Sequence, residues 1–348
     1  MSSGVASTEA SLRCAQALNA ALHEIFERRD DVYLIGEDLL DPYGGAFKVS
    51  VGLSSRWPHR VLPTPVSEAS IIGIAAGFAL RGYRPIVEVM FGDFITLGFD
   101  QIVNGIAKFH EMFDGQAAVP LVVRTPMGGR RGYGPTHSQS LEKLLLGVPG
   151  IVVVAPSECH DIGGMLAAAV DDDRPVFFIE NKLMYGRPQR RPVNGYVDEF
   201  RVLEADGPWP ALTLSGNGFS GAQATLVTYG GMLPIALEAA TRLILEEEIF
   251  AEVVVLGRLL PLDLEPVLES VARTGALVTV EEGTLTSGVG AEIAARVHAA
   301  AWNDLRVPVR RVAARDGIVP SARMLEEETL PGTEDVVAAL VAVTGAGS

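Results

Sequence analysis

Short apolar runs alternate with helical periodicity along nearly the whole chain. After an amphipathic stretch over 11–28, apolar runs at 32–36, 85–90, 121–124, 151–155 and 176–180 predict strands. Between them, 67–80, 94–113, 139–146 and 159–170 read as helices. This alternation is the signature of a mostly parallel sheet covered on both faces. From 189 to 224 the pattern breaks into a segment punctuated by Pro192, Pro208, Pro210 and glycines, which reads as a linker. A second alternating set succeeds it, with strands at 225–229, 253–256, 276–281 and 307–312 and helices at 233–248, 289–301 and 334–343. The expected fold class is α/β, two doubly wound domains at 1–190 and 224–348 joined by a linker over 191–223. The halves share a rhythm but no sequence repeat.

Composition narrows the function classes. At 348 residues, with 48% hydrophobic and 20% charged, the chain has the core for two packed units. The first eight residues lack the basic and apolar regions of a signal peptide, so a cytoplasmic protein is expected. The longest apolar run, 71–80, falls well short of the roughly 20 residues a membrane span requires. Cys14 and Cys159 stand far apart, which favours two buried small hydrophobes over a disulfide or zinc site. A net charge of −15 argues against nucleic-acid or anionic-membrane partners. Acidic clusters at 171–173, 246–248 and 326–328 fall at expected helix ends and read as solvated surface.

Candidate chemistry gathers where expected strands end, which is where open parallel sheets place their ligands. Glu68 closes Thr64-Pro65-Val66-Ser67-Glu68 and opens a helix of small apolar residues, in which Gly73 and Gly77 allow another backbone or a flat ligand to come close. Two readings of Glu68 stand side by side: it complements the helix dipole behind a Ser67 cap, or it is a buried acid that shares a proton. Asp93 sits in the aromatic turn Phe91-Gly92-Asp93-Phe94, whose rings are either core or a face for a heterocycle. His137 lies in a Gly- and Pro-rich loop after the 121–124 strand and is the histidine expected to act as acid or base. His23, His59, His110, His160 and His298 fall at surface or structural positions. Arg130 and Arg131, in the same loop as His137, are either anion-binding or solvated. Dinucleotide, Walker and nucleophile-elbow motifs are absent, as are a metal-ligand cluster and a Gly-Asp-Gly diphosphate segment.

Taken in order, Gly36-Glu37-Asp38, Gly44-Gly45-Ala46-Phe47-Lys48-Val49, Thr64 to Glu68, Asp93-Phe94, Phe99-Asp100-Gln101 and His137-Ser138-Gln139-Ser140 form one pattern. It continues through Glu180-Asn181, Leu183-Met184-Tyr185-Gly186, Tyr229-Gly230, Glu281-Glu282-Gly283 and Gly288-Val289-Gly290-Ala291-Glu292. This ordered set resembles the β subunit of the decarboxylating component of 2-oxo acid dehydrogenase complexes. The resemblance implies a thiamine pyrimidine-binding domain followed by a transketolase C-terminal-like domain, in a tetramer of two α and two β chains. It implies thiamine diphosphate as cofactor, with Mg²⁺ bound mainly by the α subunit, no metal ligand on this chain, and in some members K⁺ on backbone carbonyls. Carried over, Glu68 bonds the aminopyrimidine ring nitrogen, Phe94 lies beside that ring, Glu37 joins the cofactor site, and His137 is the active-site imidazole. Glu68 and His137 are thus the expected catalytic pair.

The activity implied is decarboxylation of pyruvate or a branched-chain 2-oxo acid and reductive acylation of a lipoyl domain on an acyltransferase. An alternative keeps the cofactor but cleaves acetoin or passes a two-carbon unit to an acyl carrier protein. A non-catalytic assembly subunit would predict degenerate site residues, and a Rossmann oxidoreductase would require its glycine fingerprint. Three departures from the family pattern stand out: the long 208–222 connection, Leu256-Gly257-Arg258 where Asp-Leu-Arg is usual, and Arg130-Arg131-Gly132-Tyr133, more cationic than the loop of many members, which makes Arg130 and Arg131 the expected contacts to an anionic group on the substrate or acyl carrier.

Overall fold

A computed structural model of the chain describes residues 12–216 and 221–345. Cys14–Arg28 forms a helix that buries Leu18, Leu22, Ile25 and Phe26. Two seven-stranded sheets make up the core. The first runs, from one edge to the other, through Arg258–Leu260, Val152–Val154, Val176–Asn181, Val122–Met127, Arg84–Glu88, Val32–Gly36 and Val61–Pro63. All its pairings are parallel except the first, where Arg258–Leu260 crosses from the second half of the chain and pairs antiparallel with Val152–Val154. The central strands are buried along almost their whole length, which explains their unbroken apolar sequence.

The second sheet runs through Arg310–Ala314, Leu277–Thr284, Ala224–Tyr229, Ala251–Leu256, Leu212–Gly216, Phe200–Glu204 and Tyr196–Val197. Its last three strands lie within 191–216, a stretch the prolines had marked as linker. They pair antiparallel, with Val197, Phe200, Val202, Leu212 and Leu214 buried and the intervening residues more open. That half-buried alternation is too short in each strand to stand out against Pro208 and Pro210, which fall in the connection between two of them. The remainder of the unusual connection, 217–220, lies outside the described residues. Pro210, in the described part of that connection, accounts for Gly257: a Cβ there would sit 2.3 Å from the Pro210 carbonyl oxygen, so these two departures from the family pattern pack against each other.

Two expected helices are absent in the form predicted. Residues 94–113 form a 3₁₀ helix at Gly92–Gly98, a π-helix at Gln101–Ile106 and a single α-turn at Phe109–Met112. Glycines weaken a continuous helix here, and the chain bends to pack tightly: a Cβ at Gly92 would lie 2.2 Å from Met127, and one at Gly98 2.5 Å from Ile72. Residues 139–146 keep only one 3₁₀ turn at Glu142–Leu144. There the side chain of Glu142 accepts from the Tyr229 hydroxyl at 2.6 Å, a tie to the second domain. The helix expected at 159–170 starts at Ile162, because His160 folds back on Ser157 and Asp161 caps Gly164. His160 is fully enclosed and also bonds the Pro210 carbonyl at 3.0 Å; burial pulls its imidazole down to about 4, so it is a neutral structural group. Cys14 and Cys159 are buried thiols whose pKa burial raises to about 12. Among the described residues, no helix is long and apolar enough to cross a membrane.

Candidate active site

The carboxyl ends of four neighbouring parallel strands, Val122–Met127, Arg84–Glu88, Val32–Gly36 and Val61–Pro63, lie side by side at one edge of the first sheet. The segment after each strand contributes one part of the site: His137, Asp93 with Phe94, Glu37, and Glu68. Glu68 is the first residue of the Glu68–Leu80 helix and is 3% exposed. Ser67 precedes it but makes no capping bond; its hydroxyl turns to Ser70 instead. Glu37, 8% exposed, lies close enough to feel the charge of Glu68. Burial and then that neighbouring charge raise the Glu37 carboxyl, against the pull of the Ser67 backbone N–H. One Glu37 oxygen, Oε1, is buried without a hydrogen-bond partner among the described residues. Two buried carboxyls that feel each other, one with an unsatisfied acceptor, leave a hydrogen bond that a donor group could complete.

The aromatic turn and the His137 loop meet directly. The His137 ring lies 4.7 Å from the Phe91 centroid and 5.1 Å from the Phe94 centroid, edge-on to both. Phe91 in turn meets Phe47 and Tyr133. Asp93 joins the two segments: its Oδ1 accepts from Gln139 Nε2 at 2.8 Å, while its Oδ2 is buried and unpartnered among the described residues. The turn that carries Phe94 rests on the start of the Glu68 helix, where a Cβ on Gly98 would meet the Glu68 carbonyl oxygen at 3.4 Å.

The second domain holds the loop that leads to His137. Glu282 Oε1 accepts from the Gly129 N–H at 2.5 Å and Glu282 Oε2 from Asn181 at 3.1 Å. Glu326, on the short Arg323–Thr329 helix, accepts from the N–H groups of Arg130 at 2.7 Å and Gly132 at 3.2 Å. Glu326 is therefore no surface acid, as its cluster had suggested: it is 2% exposed and spends its charge on backbone donors. Gly128, at φ +98°, is required where the strand turns into this loop, with a Cβ position 2.6 Å from the Asn181 amide.

These clamps separate the two arginines. Arg130 reaches into the second domain, where its Nη2 donates to the Pro331 carbonyl at 2.6 Å. Arg131 stays beside the aromatic cluster, its guanidinium 5.8 Å from the Phe47 ring and its Nη2 donating to the Lys182 carbonyl at 3.0 Å. Both line a cleft of about 420 Å³ with Arg323 and Glu326. Sequence reasoning missed the roles of Glu282 and Glu326, which lie more than 150 residues from the loop they hold, and of Lys182, a fully buried cation beneath it. Only the Lys182 position carried a local signal, a cation directly after an apolar strand.

Residues 10–188 match the model of the transketolase pyrimidine binding domain, and residues 219–336 that of the transketolase C-terminal domain. The chain is 39% identical over 94% of its length to the pyruvate dehydrogenase E1 component subunit beta of Leifsonia xyli, covering 93% of that protein. It is 38% identical over 93% of its length to the mitochondrial counterpart of Saccharomyces cerevisiae, covering 87% of it. The chain belongs to the E1 β-subunit family. Among solved structures, a split-gene transketolase described as an inactive β4 tetramer superposes with a TM-score of 0.73 over 97% of this chain and all of that one, at 23% identity. That likeness concerns the fold, and the two-domain transketolase architecture of the E1 β family is the one described above. Within it, the structure brings Phe94 to His137 and Glu37 to Glu68, while Arg130 is drawn away from the site toward the second domain.

Proposed function

We propose that this chain is the β subunit of a thiamine diphosphate-dependent 2-oxo acid dehydrogenase, with pyruvate as the first substrate to test. In this reading it works in a tetramer with an α subunit and hands its acyl group to a lipoyl domain of an acyltransferase. The observation that carries it is the buried Glu37–Glu68 pair with its unpaired oxygen, in a chain of the E1 β family. The residues fit the aminopyrimidine end of the cofactor: an enclosed carboxyl pair suits a protonated ring nitrogen, and the half-buried Phe94 offers an aromatic wall beside it. When bound, thiamine diphosphate supplies the electron sink for decarboxylation. Glu68 holds the proton at the ring nitrogen, with Glu37 keeping that proton from being lost to solvent by adding a second carboxyl to the same enclosed space. Phe91 and Phe94 exclude water and orient His137, which holds or moves a proton on the substrate side. We assign Mg²⁺ and the diphosphate end to the α subunit, because this sequence has no Gly-Asp-Gly segment to hold them.

The purified chain alone is expected to show only background dye-linked oxidation of pyruvate with thiamine diphosphate and Mg²⁺, and full turnover once co-expressed with its α chain. Turnover by the chain alone would refute a shared site. Transfer to an acyl carrier protein but not to a lipoyl domain would favour the alternative acceptor.

Arg131 is the better placed of the two arginines to meet an anionic group on the substrate or acyl carrier. Replacing both Arg130 and Arg131 with Ala is expected to raise the apparent substrate constant about fivefold, the worth of one half-exposed charged contact of roughly 1 kcal/mol. Arg131→Ala alone should account for most of that rise. Steady-state constants that stay level across pyruvate, branched-chain acids and lipoyl acceptor would remove both arginines from the substrate site.

A further inference from the structure

Lys182 is the most deeply buried cation near the site, with no accessible surface at all. It comes directly after the Val176–Asn181 strand, and its ammonium donates to the backbone carbonyl of His137. The same nitrogen stands 5.2 Å from the Phe91 ring centroid and 6.0 Å from that of Tyr133. Phe91 is also the ring packed at 4.7 Å against the His137 imidazole. One side chain thus holds the backbone from which the imidazole projects and the ring against which it rests. We propose that Lys182 is a positioning residue, whose charged form locks His137 in its working place and whose loss of that charge unlocks it. The proposal rests on the reading of His137 as an active-site group.

Burial is costly for an ammonium, and among the described residues Lys182 makes no direct ion pair to offset it. The groups that face it are Asp93 from the aromatic turn, Glu282 from the second sheet, Glu326 from the Arg323–Thr329 helix, Arg131 and Tyr133 from the loop, and His137 itself. Burial, as the largest influence, lowers the lysine to about 8; the carboxylates of Asp93, Glu282 and Glu326 resist this, and Arg131 adds to it. A neutral amine is a weaker donor to the His137 carbonyl and loses its attraction to the ring faces. The lock is therefore closed below this range and opens as pH rises through it.

The test uses the assembled enzyme with its α chain and records pH profiles for wild type, Lys182→Arg, Lys182→Met and His137→Ala, each checked for a matching melting temperature. The expected wild-type rate falls on the alkaline side near pH 8. Lys182→Arg, which stays charged, should move that fall upward by at least one pH unit. Lys182→Met should lower kcat at pH 7 by about tenfold to a hundredfold, as misplacement of a reacting group does, with KM little changed. A wild-type profile that stays flat to pH 10 would overturn the proposal without any variant, and so would an alkaline limb that Lys182→Arg leaves in place. Full activity in His137→Ala would instead overturn the reading of His137, an outcome distinct from both.

Discussion

Glu68→Gln is expected to lower turnover of the assembled enzyme by roughly 10²–10⁴-fold, the range over which a positioned proton-transfer group acts. The substitution preserves size, so the packing of a 3%-exposed side chain at the head of the Glu68–Leu80 helix is kept. What it removes is the ability to share a proton with a ring nitrogen. An amide at this place presents a donor as readily as an acceptor and cannot take up or release the proton, whatever Glu37 does beside it. The loss should therefore appear in kcat, while titration of thiamine diphosphate into the variant still shows saturable binding. Glu68→Asp, which keeps the acid but draws it back by one methylene, should recover part of the rate. Turnover of Glu68→Gln within tenfold of wild type would mean that Glu68 only complements the helix end, the other reading its sequence position allowed.

That both readings of Glu68 were open in the sequence, and the enclosed pair with Glu37 favours one of them, shows what local pattern can and cannot convey. A residue just past a strand or at a helix start is visible in one dimension, so Glu68, Asp93, Phe94 and His137 were legible as members of one sheet edge, whereas Glu37 entered only with the family resemblance. The strands themselves were legible because burial on both faces leaves continuous apolar runs. The hold on the His137 loop was not, because Glu282 and Glu326 come from the other domain and nothing near them in sequence points to residues 129–132. Glu326 even carried a misleading signal, sitting in an acidic run that normally faces solvent. The broken helix over 92–112 failed for a related reason: its composition allows a helix, and tertiary contacts at Gly92 and Gly98 decide otherwise. The antiparallel strands over 196–216 were hidden by their shortness and by prolines in the connection between them.

The largest stability effect is expected at Arg124, the one charged residue of the apolar run 121–124. It is 1% exposed at the centre of the first sheet, between two carboxylates from the strands on either side. Its Nε and Nη2 donate to the two oxygens of Glu180 at 2.8 and 2.9 Å, a bidentate pair, and its Nη1 donates to Glu88 at 3.0 Å. Ser50 adds a bond to Glu88 at 2.9 Å, and the Tyr185 hydroxyl donates to Glu180. Burial raises Glu88 in spite of the arginine; burial also works against the charge of Arg124, but Glu180 and Glu88 together outweigh it and keep the guanidinium charged beyond its ordinary range. Removing the arginine alone leaves two acids enclosed with no cation, and breaking a buried pair in this way costs about 3–5 kcal/mol. Arg124→Met should therefore lower the melting temperature of the assembled enzyme by roughly 10 °C, at about 2–4 °C per kcal/mol for domains of this size. Replacing all three charged residues together, Arg124→Met with Glu88→Gln and Glu180→Gln, should recover much of that loss, since no unpaired charge then remains inside. The triad joins three strands whose next residues lead into the candidate site, so Arg124→Met should also blur its geometry and lower kcat even at temperatures where the protein is folded. A single variant that melts within about 2 °C of wild type, less than the shift expected for 1 kcal/mol, would show that water or local rearrangement satisfies the acids, and that the guanidinium is dispensable to the sheet.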